Sequence, residues 1–212
     1  LVATPPMLHR CQAYLQSNDA DARRLLASLR EHHAAVAGTL RKNYQMPEPD
    51  FSFGARSALL DAVIGYRLLA MTHSATSADR DAVIGAAMDL VDALHRAGKT
   101  TVDLHVGQAS NMMPLAVAYD WMYDDLSPDQ RRKITSAMLD YSIRPTLEAL
   151  YGYDPRAWWV NGMNNWTTIC IGGAVAGVLA LRKADDPGPF AVQINKAGDR
   201  RTRSFLEHAD DL

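Results

Sequence analysis

The sequence predicts an all-α fold built from antiparallel helical hairpins. Apolar residues recur three and four apart through most of the 212-residue chain, which lines them up on one face of a helix. Caps and breakers punctuate that pattern at helical lengths. No alternating segment repeats, so the strands that a sheet or a βαβ unit needs are missing.

The elements follow in order. Pro5 and Pro6 open a first helix, because proline fits a first turn, and Leu8, Cys11, Tyr14 and Leu15 recur along it. Asn18 breaks it. Asp19 or Asp21 caps a second helix carrying Leu25, Leu26, Leu29, His33, Val36 and Leu40, which Pro47 and Pro49 end. His32 and His33 read as ordinary residues of a mostly solvent-facing helix. A loop from Gln45 to Gly54 holds Phe51 and Phe53, which pin it to the core or line a cleft. The third helix runs from about Ala55 to Met71, with Leu59, Leu60, Val63, Ile64, Leu68 and Leu69 on one broad face. Ser77 caps the fourth, and Asp79 and Asp81 fall in its first turn. It reaches about Arg96, with Val83, Ile84, Ala87, Met88 and Val91 inward, and Gly98 stops it.

Thr100 to Gly107 is strand-like but has no partner, so it reads as an extended loop. The fifth helix begins near Asn111, with Pro114 in its first turn, and ends in Tyr119, Trp121 and Tyr123. That spacing fans the three rings around the helix, so core packing takes some of them. Ser127, Pro128 and Gln130 form a capping box for a sixth helix that runs toward Leu150. Pro145 should kink or split it near Ile143. The seventh helix runs from about Asn165 to Arg182 or Lys183, and two short helices, Phe190 to Ala197 and Arg203 to His208, close the chain. Short connections make hairpins of the third and fourth helices and of the fifth and sixth. Such hairpins assemble into a bundle or an α/α toroid.

The bulk composition narrows the function classes. Hydrophobic content of 48% and charged content of 22% are those of a globular chain. A net charge of -2 supplies no global basic field for nucleic acid. The two cysteines, Cys11 and Cys170, form no CxxC pair and read as two buried thiols, a disulfide being the alternative. Ile169 to Leu181, the longest apolar run, is too short to cross a bilayer. No HExxH, no Cys/His cluster with metal spacing and no phosphate loop after a strand is present, so no cofactor is expected. The glycines Gly172 and Gly173 mark close helix contact or the approach of a ligand. Asp124 and Asp125 read as a solvated helix corner, and Arg131, Arg132 and Lys133 as a solvated face.

The stretch WWVNGMNNWTTICIGGAVAGVLAL, from Trp158 to Leu181, holds three of the four tryptophans beside Asn164 and Asn165. A helix core has no use for paired amides and indoles at its mouth. They suit a flat, polar, ring-shaped ligand such as a sugar. Each reading has a structural alternative. Asn164 or Asn165 also fits a helix cap, and core packing also fits Trp158, Trp159 and Trp166. Arg156 offers a fork for a carboxylate, or pairs with Asp154. His105, near Gln108 and Asn111, contacts substrate or shuttles a proton, or is an ordinary loop residue. Tyr151 and Tyr153, flanking Gly152, are the more exposed cleft-lining tyrosines.

The segments YDWMYDDLSPDQRRKI (119–134) and NNWTTICIGGAVAGVLAL (164–181) together resemble the heparinase II/III-like and alginate-lyase superfamily. The opening PPMLHRCQAYLQSNDADARRLLASL and the segment ARSALLDAVIGYRLL are similar to the family's first helices. The resemblance covers nearly the whole chain but only the N-terminal part of such a protein. It implies an incomplete α/α toroid over residues 1–212, read as a single helical domain, followed in the family by a β-sandwich. It implies cleavage of a uronic-acid-containing polysaccharide by β-elimination, with Asn165 or Asn164 neutralising the uronate carboxylate. Trp166, Trp158, Arg156, His105 and Tyr153 are the substrate-binding residues on this reading. The family's proton-transferring tyrosine is expected beyond Leu212, so the chain reads as a portion of the enzyme. The partner implied is an acidic polysaccharide or oligosaccharide, with no nucleic acid and no membrane insertion, and the location periplasmic or secreted. Two alternatives stand beside it: a non-catalytic carbohydrate-binding or scaffold module, and an α/α-toroid glycoside hydrolase, which needs two carboxylates across a cleft.

Overall fold

A computed structural model describes residues 5–47, 49, 51, 53–97, 106–155, 157–161 and 165–181. The short helices expected after Leu181 lie outside the described residues, as do residues 100–105 of the segment expected to be extended from Thr100 to Gly107, whose last two residues are helical instead; His105, Arg156 and Asn164 also lie outside them. Among the described residues the chain is all-α: α1 (Pro5–Leu15), α2 (Ala20–Gln45), α3 (Phe53–Met71), α4 (Ser77–Ala97), α5 (Val106–Trp121), α6 (Pro128–Met138), α7 (Arg144–Leu150) and α8 (Asn165–Leu181).

Local chemistry sets most of the boundaries. The Asp19 carboxylate accepts from the Asp21 and Ala22 amides at 2.7 and 3.4 Å and so starts α2. At α4 the cap is Thr76, one residue earlier than expected. Its hydroxyl accepts from the Asp79 amide at 3.2 Å, while Asp79 Oδ2 accepts from the Thr76 amide at 2.8 Å. The Ser127–Gln130 capping box forms as expected. Pro145 splits the sixth helix through a π-helical turn, Leu139–Ile143, in which the Arg144 amide donates to the Leu139 carbonyl five residues back. The wider turn accommodates a ring that lacks an N–H and would clash with the carbonyl four residues before it.

Pro114 is a correction. α5 begins at Val106, so Pro114 sits inside the helix rather than in its first turn. An internal proline costs about 3 kcal/mol relative to alanine. Burial of Met112, Leu115, Val117 and Tyr119 on the same helix offsets that cost. The stripe expected on α1 also differs: Leu15 is buried, whereas Cys11 and Tyr14 are exposed. On α2 the inward face is Ala22, His33, Ala37, Leu40 and Tyr44, so His33 belongs to the interior and Leu25 to the surface.

The packing pattern is that of part of an α/α toroid. Alternate helices are neighbours. α3 packs on α5, and α5 packs most extensively on α8 among the described helices. α2 packs on α4, and α4 on α6. Two layers result, with α3, α5 and α8 in one and α2, α4 and α6 in the other, and each hairpin steps between them. Sequence explains the division. α8 has no charged residue and α5 has one, Asp120, whereas α2 and α6 are rich in charge. The apolar helices accept neighbours on several sides and the amphipathic ones keep a wet face. Gly177, not Gly172, provides the close approach: a Cβ there would stand 3.4 Å from Met112 and Ile143, whereas Gly172 faces open space.

Candidate functional site

The described residues expected to hold a ligand lie where α7 hands over to α8. α7 ends in a glycine turn. The amides of Tyr151, Gly152 and Tyr153 donate to Leu147, Ala149 and Glu148, and Gly152 takes φ 79°, a left-handed value that disfavours a side chain. Tyr151 and Tyr153, the residues before and after it, are 58% and 78% exposed, with ring centroids 6.3 Å apart. A 3₁₀ turn, Trp158–Asn161, then separates the two adjacent tryptophans. Trp159 is buried with Ala149, Ala157, Val160, Cys170 and Ile171 and anchors the loop on α8. Trp158 is 63% exposed and meets the half-buried Trp166 edge-on at 5.9 Å and 66°.

Thr167 fastens this turn to the helix, its hydroxyl donating to the Trp159 carbonyl at 2.5 Å. Asn165 is the first residue of α8 and is exposed. Four of the expected residues, Asn165, Trp166, Trp158 and Tyr153, thus lie in the segment that joins α7 to α8 and on its first turn. Ile169 adds an exposed apolar side chain one turn along, a residue the apolar run had hidden. The arrangement can offer uncovered aromatic faces, an amide and the electropositive end of a helix. Among the described residues no group of three His, Cys, Asp or Glu side chains could hold a metal ion.

A second, charged feature escaped the sequence. A cleft of about 640 Å³ runs along α4, lined by Arg41, Arg80, Asp81, Asp89, Asp125 and Gln130 among others. Its charges are engaged. Asp89 Oδ2 accepts from Arg41 Nε at 3.0 Å and Gln45 Nε2 at 3.1 Å, Asp81 pairs with Arg80 at 3.0 Å, and Asp125 accepts from the Tyr66 hydroxyl at 3.4 Å. Asp125 is therefore a half-buried partner of α3 rather than a solvated corner. Arg131 also departs from a solvated face: its Nε donates to the Tyr123 carbonyl at 3.0 Å and its guanidinium lies 3.9 Å over the Tyr123 ring. Burial, then Asp125, pushes the Tyr66 phenol above its ordinary value of 10.0.

The histidine reading changes most at α2. His33 is 1% exposed, and its Nδ1 lies 3.1 Å from the Ala62 carbonyl, whereas His32 remains exposed. Cys11 is exposed and Cys170 buried, both as free thiols, so only one of the two expected buried thiols is found. Among the described residues no helix is long and apolar enough to cross a membrane. No protein-family model matches the chain. No curated protein matches it either.

Proposed function

We propose that the chain is the helical portion of a polysaccharide lyase and that the head of α8 binds a uronic-acid-containing glycan. The observation that carries this reading is the exposed aromatic side chains of the α7–α8 connection: Trp158, Tyr151 and Tyr153 are each more than half exposed, more than any other tryptophan, tyrosine or phenylalanine among the described residues. Sugar rings present apolar C–H faces to such side chains. Their carboxylates suit the Asn165 amide and the N-terminal end of α8. The layered helix packing and the sequence likeness of 119–134 and 164–181 support the same reading. In β-elimination a base takes the proton at C5 and charge builds on the uronate carboxylate; the C4–O bond then breaks, a C4=C5 double bond forms and the departing oxygen takes up a proton. A fixed amide donor directed at the carboxylate oxygen lowers the barrier. The proton itself needs a base that the head of α8 does not supply.

Tryptophan fluorescence, titrated with defined oligouronates and with neutral oligosaccharides of equal length, tests the reading. Oligouronates should quench the emission saturably. Trp158→Ala should weaken binding by about ten-fold, in line with roughly 1.4 kcal/mol for a stacked ring. Asn165→Ala should weaken binding of the charged series alone. Ultraviolet detection of unsaturated uronyl ends in the same samples separates elimination from binding without turnover. Absence of saturable binding by any uronate would overturn the proposal.

A further inference from the structure

His33 sits at the junction of three helices with an acceptor on each side of its ring. Nδ1 faces the Ala62 carbonyl of α3 at 3.1 Å. Nε2 is buried, makes no hydrogen bond and lies 4.0 Å from Asp79 Oδ1 at the start of α4. A neutral imidazole has one N–H, and the Ala62 carbonyl takes it, which leaves the Nε2 lone pair facing a carboxylate. A buried polar atom without a partner is uncommon and calls for an explanation. An imidazolium would donate on both sides.

We propose that His33 and Asp79 form a proton-operated clamp between α2 and the first turn of α4. When His33 takes up a proton from water, Nε2 gains an N–H that donates to Asp79 Oδ1 and the contact closes. When the proton leaves, two lone pairs face each other and the contact opens. Asp79 is prepared for this role. Its other oxygen is occupied by the Thr76 amide and hydroxyl at 2.8 and 2.7 Å, which orients Oδ1 toward the ring. Burial opposes ionisation of Asp79, but the Thr76 hydrogen bonds and the nearby His33 and Arg30 hold its carboxyl below the ordinary 3.8. A recess of about 240 Å³, lined by Leu29, His32, His33, Asp61, Ile64 and Gly65, gives water a route toward the ring.

The charges around the clamp are few. On α2, Arg30 acts on Asp79 and so competes with the imidazolium, and His32 shares the recess. From α3, Asp61 lines the recess, and the Tyr66 ring lies 6.5 Å away. On α4 the facing group is Asp79 itself. The clamp works on fold stability and does not depend on glycan binding.

Amide hydrogen exchange of residues 78–82 in the full chain, corrected for intrinsic pH dependence, tests the clamp. Protection there should rise about ten-fold between about pH 8 and pH 5.5, the gain of one charge-assisted hydrogen bond. His33→Gln should abolish the rise. Asp79→Asn, which keeps an oxygen acceptor for Thr76, should abolish it as well, and it serves if His33→Gln fails to fold. A rise that survives in Asp79→Asn, or no rise in the unaltered chain, would overturn the clamp.

Discussion

The guanidinium of Arg41 lies against the backbone of Gly85: a Cβ at position 85 would stand 3.1 Å from Arg41 Cζ and Nε. The contact joins α2 to the middle of α4 and holds Arg41 where its Nε meets Asp89. Glycine within a helix is a weak choice, about 1 kcal/mol poorer than alanine. Here the missing side chain leaves room for a neighbouring cation.

Gly85→Ala tests which of two effects is larger. Alanine regains helix propensity but forces Arg41 to shift by a few tenths of an ångström. The Arg41 side chain is 47% exposed and can move, and an exposed ion pair contributes at most about 1 kcal/mol. Urea denaturation should therefore show a gain of about 0.5 kcal/mol. A loss greater than about 1 kcal/mol would mean that Arg41 is held more firmly than its exposure implies.

Alkaline stability should report on Tyr66. Its phenol is raised above 10.0, by burial first and then by Asp125, so the folded chain holds the proton more tightly than the unfolded chain. By linkage, the resulting stability is fully present below pH 10 and is lost as pH rises through the folded value. Tyr141 is raised by burial and Asp140 and acts in the same direction. Tyr66→Phe should flatten the fall in melting temperature above about pH 10, and Tyr66→Phe with Tyr141→Phe should flatten it further. An unchanged slope in the double variant would count against both assignments.

What the sequence made legible was local. Ser127 with Gln130, Asp19 and Pro145 act on amides and carbonyls within five residues, so their effects could be read from spacing alone. Thr76 and Ser77 are both good caps by residue type, and only the hydrogen bonds assign the cap to Thr76. His33, Asp125 and Gly85 take their roles from Ala62 and Asp79, from Tyr66, and from Arg41, all on other helices. No periodicity within α2 or α4 announces such partners. The aromatic residues at the head of α8 fall between these cases. Their clustering was visible in sequence, but which indole turns outward depended on a 3₁₀ turn that buries Trp159 and leaves Trp158 in solvent.

The two thiols should differ sharply in reactivity. Burial alone pushes Cys170 up to about 12, and it is fully enclosed, whereas Cys11 is exposed on α1. The thiolate is the reactive species, and at pH 8 a thiol titrating near 12 is ionised in roughly one molecule in ten thousand. A thiol-reactive chromogenic disulfide should therefore label one site rapidly in the folded chain and both after denaturation. Cys11→Ser should remove the fast phase and leave the slow one. The slow phase should then follow opening of the α7–α8 packing around Cys170, Trp159 and Ile171, which exposes the thiol and relieves its desolvation together. Rapid modification of both cysteines in the native chain would show that this small cluster does not close over Cys170 in solution, and the anchoring of the Trp158 turn would fall with it.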